Sequence, residues 1–239
     1  MRRQVMCLKR PVSVIIILWG LLLGVPSFAK DNGPGYTPPA PGSYELPPIK
    51  RAVDGILLDT KGNRQHLFDY MDDKLVILSF IYTTCSDICH IATSVLHQVT
   101  TELKQDPVLS DQVLLITLSF DPDHDTPEVM RRYAETMECD TSGWVFLTTS
   151  SHAELQPILD GYGQYIVRER DATGKVTGTF MHVLKVFLID RERKIRNIYS
   201  LSFLNSTLLL NDIRTLLLEE SGEGITPGQV IRKKGSRKE

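Results

Sequence analysis

Two uninterrupted apolar segments constrain the fold of this chain most strongly. Residues 75–82 and residues 113–120 are each runs of eight residues, most of which are aliphatic or aromatic. A strand with one exposed face alternates between apolar and polar residues, whereas a continuous run is typical of a strand covered on both faces. The two runs therefore predict the buried centre of a sheet that has helices on both sides.

Further helices and strands are predicted around these two segments. The chain has 239 residues, of which 42% are hydrophobic and 23% charged, as is usual for a globular protein of one domain. The formal net charge of −2 excludes a strongly basic surface for nucleic acid. Helices are predicted from 88 to 99, from Thr126 onward, over 150–162 and over 208–218. A short hairpin is predicted at 54–62, an exposed hairpin at 166–175, and strands at 144–148, 184–190 and 195–199.

The first 29 residues have the features of a secretory signal peptide. Four cations in the first ten residues precede an apolar run at 12–25, and Ser27 and Ala29 are the small residues of a cleavage site. The run is shorter than the roughly 20 residues of a membrane span, so we predict cleavage after Ala29, with an inner-membrane anchor as the alternative. Either way the rest of the chain is predicted to be exported or periplasmic. Cleavage would change the net charge from −2 to −6 and remove Cys7.

The ends of the remaining chain differ in composition from its middle. Residues 30–48 are rich in proline and glycine, which predicts an extended linker. Residues 222–239 are polar and basic, which is typical of a solvated tail. The globular domain is therefore expected over residues 49–221.

Cys85 and Cys89 are the residues that point most directly to chemistry. They follow the first buried strand and open the next predicted helix, in the order Cys-Ser-Asp-Ile-Cys. At this spacing we expect both sulfurs on one helical face, close enough to share a metal ion or form a disulfide. The positive end of the helix is expected to lower their pKa values and favour thiolates, which are both nucleophiles and metal ligands.

Three motifs together resemble the SCO/SenC family. They are Tyr82-Thr83-x-Cys85-x-Asp87-x-Cys89, the segment Asp-Pro-Asp-His-Asp-Thr-Pro-Glu at 121–128, and His182 shortly before a late strand. Members of that family are copper chaperones for the CuA centre of cytochrome c oxidase. The resemblance implies a thioredoxin-like α/β fold, with a central mixed sheet flanked by helices and an inserted hairpin before the last strands. It also implies that Cys85, Cys89 and His182 bind copper.

The chemistry of these donors agrees with the ligand set that the resemblance implies. Soft thiolates favour Cu(I), and imidazole accepts either Cu(I) or Cu(II). Two sulfurs and one nitrogen leave the metal open to a ligand from a partner, which suits delivery. Zinc would accept the same donors, usually with a fourth ligand.

The chain departs from the family pattern beside each proposed ligand. Ser86 and His90 stand where prolines are usual, and Met181 stands where an aspartate is usual. His90 could be a fourth ligand, a proton relay or a solvated side chain, and Met181 could offer a thioether or fill the core. Asp87 and Asp121 match family positions and could shape the charge of the site or contact a partner. Cys139 is interpreted as a lone thiol, His97 as a surface residue and His124 as part of a helix-capping loop, and no chemistry is assigned to His66 and His152.

Two functions from different classes fit this sequence. The first is an exported copper metallochaperone whose partner is the oxidase subunit that carries CuA, with other periplasmic copper carriers or thiol oxidoreductases as further partners. The second is a thiol-disulfide oxidoreductase that uses Cys85 and Cys89 as catalytic residues on an oxidase subunit or another periplasmic protein. Redox pairs of this fold usually have two residues between the cysteines, and here there are three, which favours the metal.

Overall fold

A six-stranded mixed sheet, flanked by helices, organises the computed structural model, which describes residues 37–85 and 88–222. Its strands are β1 Lys50–Arg51, β4 Leu75–Ile81, β5 Val113–Ser119, β6 Trp144–Leu147, β9 Val186–Ile189 and β10 Lys194–Tyr199. They lie in the order β1-β10-β9-β4-β5-β6, in which β4, β5 and β6 are parallel and all other neighbours are antiparallel.

The two apolar runs lie at the centre of this sheet, as predicted. All seven residues of β4 are buried, and β4 pairs in parallel with β5 along its whole length. The few polar side chains in the two runs satisfy one another, because the Ser79 hydroxyl lies 2.9 Å from that of Thr117, which also accepts a hydrogen bond from the indole of Trp144 at 2.8 Å. Such pairing removes the penalty of burying polar groups.

The helices begin where the sequence provides capping residues. Thr126, Ser151 and Asn205 each accept a hydrogen bond from a backbone N–H in the first turn of the helix that follows. One short helix, α2, is not among the predicted helices, and Asp106 caps it in the same way. The helices are α1 Ile88–Leu103, α2 Pro107–Gln112, α3 Pro127–Thr136, α4 His152–Tyr162 and α5 Ser206–Ser221, with 3-10 turns at Leu67–Tyr70 and Leu201–Phe203.

Two hairpins lie outside the main sheet. Strands β2 (Ile56–Leu58) and β3 (Arg64–His66) form the first, and β7 (Ile166–Arg170) and β8 (Val176–His182) form the second. The second is the inserted hairpin expected before the last strands, and it ends at His182. The expected fold class, with a central mixed sheet and this insertion, is confirmed.

Part of the proline- and glycine-rich segment is packed rather than extended as a free linker. The Pro39 carbonyl accepts a hydrogen bond from Asn211, Gly42 donates one to Thr215, and the carbonyl of the buried Leu46 accepts one from Arg196. Proline and glycine do not prevent docking when a helix such as α5 supplies polar partners for their backbone.

Several predicted features lie outside the described residues: the signal peptide or anchor, the first part of the linker, Ser86, Asp87 and the basic tail from residue 223. Among the helices of the described ranges, none combines the length and the apolar character needed to cross a membrane.

The buried Asp212 carboxylate joins α5 to both the sheet and the N-terminal segment. It accepts hydrogen bonds from Tyr44, from Asn197 at 2.8 Å and from Tyr199 at 2.5 Å. We expect Asp212→Ala to lower the free energy of unfolding in urea by about 3 kcal/mol, because it leaves buried donors without their charged acceptor. Asp111→Ala removes a carboxylate that is 91% exposed and is the control. Equal stability of the two variants would contradict this role.

Candidate metal centre

A tight turn after β4 brings Cys85 to the end of the central strand. The Cys85 N–H donates to the Tyr82 carbonyl at 3.2 Å. The buried carboxylate of Asp125 fixes this turn, because it accepts hydrogen bonds from the Thr83 N–H at 2.9 Å and from the Thr83 hydroxyl at 2.5 Å. Ser119, the last residue of β5, donates to the same carboxylate. The loop that carries Cys85 is therefore tied to the neighbouring strand.

The two cysteines do not share a helical face, which corrects the expectation from their spacing. Cys85 precedes α1, which begins at Ile88, and Cys89 lies in the first turn of that helix. Both are free thiols and are buried, at 5% and 0% exposure. The turn from Tyr82 to Cys85, rather than helical periodicity, brings the Cys85 sulfur close to that of Cys89.

His182 joins the two cysteines from the end of the inserted hairpin. Its Nε2 atom lies 3.9 Å from the Cys89 sulfur, and the donor atoms of Cys85, Cys89 and His182 all lie within 4.8 Å of one another. The sequence alone placed this histidine only by resemblance. The structure brings the three predicted ligands to one point.

Aromatic rings surround the His182 imidazole. The ring centroids of Phe120 and Tyr82 lie 5.0 and 5.8 Å from that of the imidazole, and Phe180 packs against both of these rings. Edge-to-face packing of this kind holds a ring in one orientation. The imidazole is therefore oriented before any metal binds.

Burial determines the protonation of two of the donors, His182 and Cys89. It lowers the pKa of His182, an effect that the Val183 backbone opposes only in part, so the imidazole stays neutral and able to bind a metal. Burial also raises the pKa of the Cys89 thiol, which the nearby Cys85 and Asp125 raise further. The expectation that the helix would lower the pKa is therefore wrong for Cys89, because burial outweighs the helix dipole.

A second group of potential ligands lies beside the first. Asp121, Asp123 and His152 bring their donor atoms within 4.8 Å of one another, but Arg168 on β7 lies among them. No role is predicted from the sequence for Arg168 or His152, because nothing in the linear order links positions so far apart.

The other residues singled out in the sequence do not join either group. Met181 is 64% exposed and lies on the opposite face of β8 from His182, so it neither fills the core nor reaches the thiols. The exposed His90 ring packs on Tyr133 at 6.2 Å between centroids. His124 bonds to Asp125, His66 to Asp54, and the Cys139 thiol to the Met137 carbonyl, whereas His97 is half-buried in α1.

The chain is similar to a known protein family and to proteins from other organisms. The family model SCO1/SenC matches residues 56–218. The SCO1 protein homolog of Bacillus subtilis is 21% identical over 153 residues, which cover 64% of this chain and 76% of that protein.

Solved structures show the same fold. Arabidopsis thaliana ScoI with copper bound has a TM-score of 0.60 and 19% identity, covering 70% of this chain and 98% of that chain. BsSco, described as a member of the Sco family of cytochrome c oxidase assembly proteins with a disulfide switch, has a TM-score of 0.58 and 20% identity, covering 72% and 97%. The thioredoxin-like architecture expected from the sequence is confirmed.

The lowered pKa of His182 predicts how stability depends on pH. The unfolded chain takes up a proton near pH 6.5, and the folded, metal-free protein does so only at lower pH. The contribution of His182 is therefore fully present above pH 6.5 and is lost as the pH falls through the window below it. We measure the free energy of unfolding in urea at about pH 7.5 and about pH 5.5, on either side of the usual histidine pKa. We expect it to fall less between these two pH values in His182→Gln than in the wild type. An unchanged pH dependence would contradict a buried neutral imidazole.

The raised pKa of Cys89 predicts slow thiol chemistry. Because alkylation needs the thiolate, we expect iodoacetamide to modify Cys89 in the reduced, metal-free protein far more slowly than a cysteine in an unstructured peptide at neutral pH. Peptide mapping by mass spectrometry measures the rate at this residue, and the urea-unfolded protein is the control. Equal rates for Cys89 in the folded and unfolded protein would show that burial does not suppress the thiolate.

Proposed function

Because the chain belongs to the SCO1/SenC family, we propose that it is an exported copper metallochaperone that delivers copper during assembly of the CuA centre of cytochrome c oxidase. The observation that carries this proposal is the convergence of Cys85, Cys89 and His182 from a turn, a helix and a separate hairpin. Copper is the cargo of this site rather than a permanent part of the fold.

The donor set fits copper. Two sulfurs suit the soft Cu(I) ion, and an imidazole nitrogen binds Cu(I) and Cu(II) alike. With three donors, the bound ion keeps room for a ligand from a partner. The partially exposed His182 edge of the site gives that ligand access.

Metal binding at this site is coupled to proton release. A metal binds the thiolate form, and the raised pKa of Cys89 means that the proton must leave as the metal arrives. The neutral His182 needs no such step. Low pH is therefore expected to favour release of the ion.

The relatives support the choice of cargo and partner. A. thaliana ScoI was solved with copper bound, and BsSco is described as a cytochrome c oxidase assembly protein. For this chain we propose the oxidase subunit that carries CuA as recipient, and periplasmic copper carriers or thiol oxidoreductases as further partners. Export through residues 1–29, or anchoring in the inner membrane by residues 12–25, would place the domain where such partners meet it.

Titration with Cu(I) in competition with a chromophoric chelator tests the site. We expect one tightly bound ion in the reduced wild type and loss of tight binding in Cys85→Ser and Cys89→Ser. Loss of a residue that only orients a metal ligand usually weakens binding about 10- to 100-fold. Because His182 is itself a proposed ligand, His182→Ala should weaken binding by at least this factor. Cys139→Ser is the matched control, since this thiol lies apart from the site, and should bind as the wild type does. Undiminished binding in the Cys85, Cys89 and His182 variants would remove the proposed centre.

A thiol-disulfide oxidoreductase is the second candidate, and the proximity of the Cys85 and Cys89 sulfurs favours it. In that reaction one thiolate attacks a substrate disulfide, and the second thiol then closes the Cys85–Cys89 disulfide while the substrate leaves as a dithiol. Catalytic turnover of a disulfide substrate together with weak copper binding would favour the enzyme. Tight copper binding without turnover would favour the chaperone.

A further inference from the structure

The Arg168 guanidinium occupies the place that a cation would take in the second ligand group. Its Nη2 atom lies 2.8 Å from Asp121 Oδ1, 2.8 Å from Asp123 Oδ2 and 3.0 Å from His152 Nε2. The Asp121 carboxylate is almost fully buried and needs a compensating charge. The arginine supplies it, so the group is an ion-pair cluster rather than a second metal site.

Arg168 belongs to the hairpin that carries His182, whereas its three partners do not. Asp121 and Asp123 follow β5, and His152 begins α4. The hairpin forms its own two-stranded sheet, so no strand pairing fixes it to the six-stranded sheet. Within the described ranges, the ion pairs of Arg168 are the only ones between this hairpin and the rest of the fold.

Arg168 and His182 lie on the same face of the hairpin. Arg168 pairs with Phe180 in the register of β7 and β8, and Phe180 is two residues before His182. The guanidinium also lies over the Phe180 ring, 4.9 Å from its centroid, and that ring packs on the Tyr82 and Phe120 rings around the imidazole. A continuous set of contacts therefore runs from the ion pairs to the third metal donor.

We propose that Arg168 is a positioning residue for His182: its ion pairs with Asp121 and Asp123 hold the inserted hairpin so that the imidazole faces the two thiols. The residue touches no metal and acts only through His182. This role rests on the proposed copper site for one of its readouts, metal affinity. The other readout, the position of the imidazole in the metal-free protein, does not depend on copper.

The test compares two arginines of the same strand in the full chain. Arg168→Met keeps an apolar side chain over Phe180 and removes the charge, and Arg168→Lys restores the charge without the planar group. Arg170→Met is the matched control, because Arg170 bonds only within the hairpin, to the Gly174 carbonyl. Arg168→Met leaves the buried Asp121 carboxylate without its arginine, which could itself destabilise the fold. The double variant Arg168→Met/Asp121→Asn removes both charges, so its effect reports the loss of positioning without that unpaired carboxylate.

Cu(I) affinity, measured with the chelator competition, is the first readout. We expect Arg168→Met and the double variant to bind about 10- to 100-fold more weakly than the wild type, as for other groups that orient a ligand. Arg168→Lys should recover part of this loss and Arg170→Met should show none. In the His182→Ala background, Arg168→Met should have no further effect. A loss of equal size with and without His182, or equal losses in Arg168→Met and Arg170→Met, would overturn the proposal.

NMR of the reduced, metal-free protein is the second readout. We expect nuclear Overhauser contacts between the His182 ring and the Phe120 ring in the wild type and in Arg170→Met, and their loss in Arg168→Met. Retention of these contacts in Arg168→Met would overturn the positioning role whether or not the chain binds copper. A wild type that keeps the contacts but binds no Cu(I) would overturn the copper function and leave the positioning role to be judged by the NMR comparison alone.

Discussion

The docking of one small hairpin against the end of the central sheet is the interaction on which the site depends. The sheet supplies Cys85 and Cys89 through the turn after β4, but the third donor comes from β8, which has no hydrogen-bonded neighbour in that sheet. His182 lies four residues before Val186, which pairs with Ser79 of β4, so the short connection to β9 keeps this end of the hairpin near the sulfurs. The ring packing of Phe180 and the ion pairs of Arg168 are further contacts between the hairpin and the rest of the fold.

Burial sets the protonation of two of the three donors. It keeps His182 neutral and Cys89 protonated, so the Cys89 thiol must lose its proton when a metal binds. Cys89 lies in the first turn of α1, but the dipole of this helix does not offset the cost of ionising a buried thiol. A site of this kind holds a soft ion through strong sulfur donors, yet it can give the ion up where protons or competing ligands are present.

Much of the fold was predictable from the sequence, because its signals are local. The continuous apolar runs 75–82 and 113–120 specify the central strands, and Thr126 marks the start of a helix. The metal donors were predictable only in part. Spacing drew attention to Cys85 and Cys89, but it misplaced Cys85 on the helix and gave the wrong direction for the pKa of Cys89, since neither a turn nor burial is visible in a spacing. Arg168 gave no signal at all, because its partners lie 16 to 47 positions away along the chain.

X-ray absorption spectroscopy of the copper-loaded, reduced protein tests the convergence of the three donors most directly. Two sulfur scatterers and the outer-shell pattern of one imidazole are expected around the ion, and the imidazole pattern should vanish in His182→Ala while the sulfur scattering remains. An imidazole pattern that persists in His182→Ala, or a first shell without sulfur, would contradict a centre built from Cys85, Cys89 and His182.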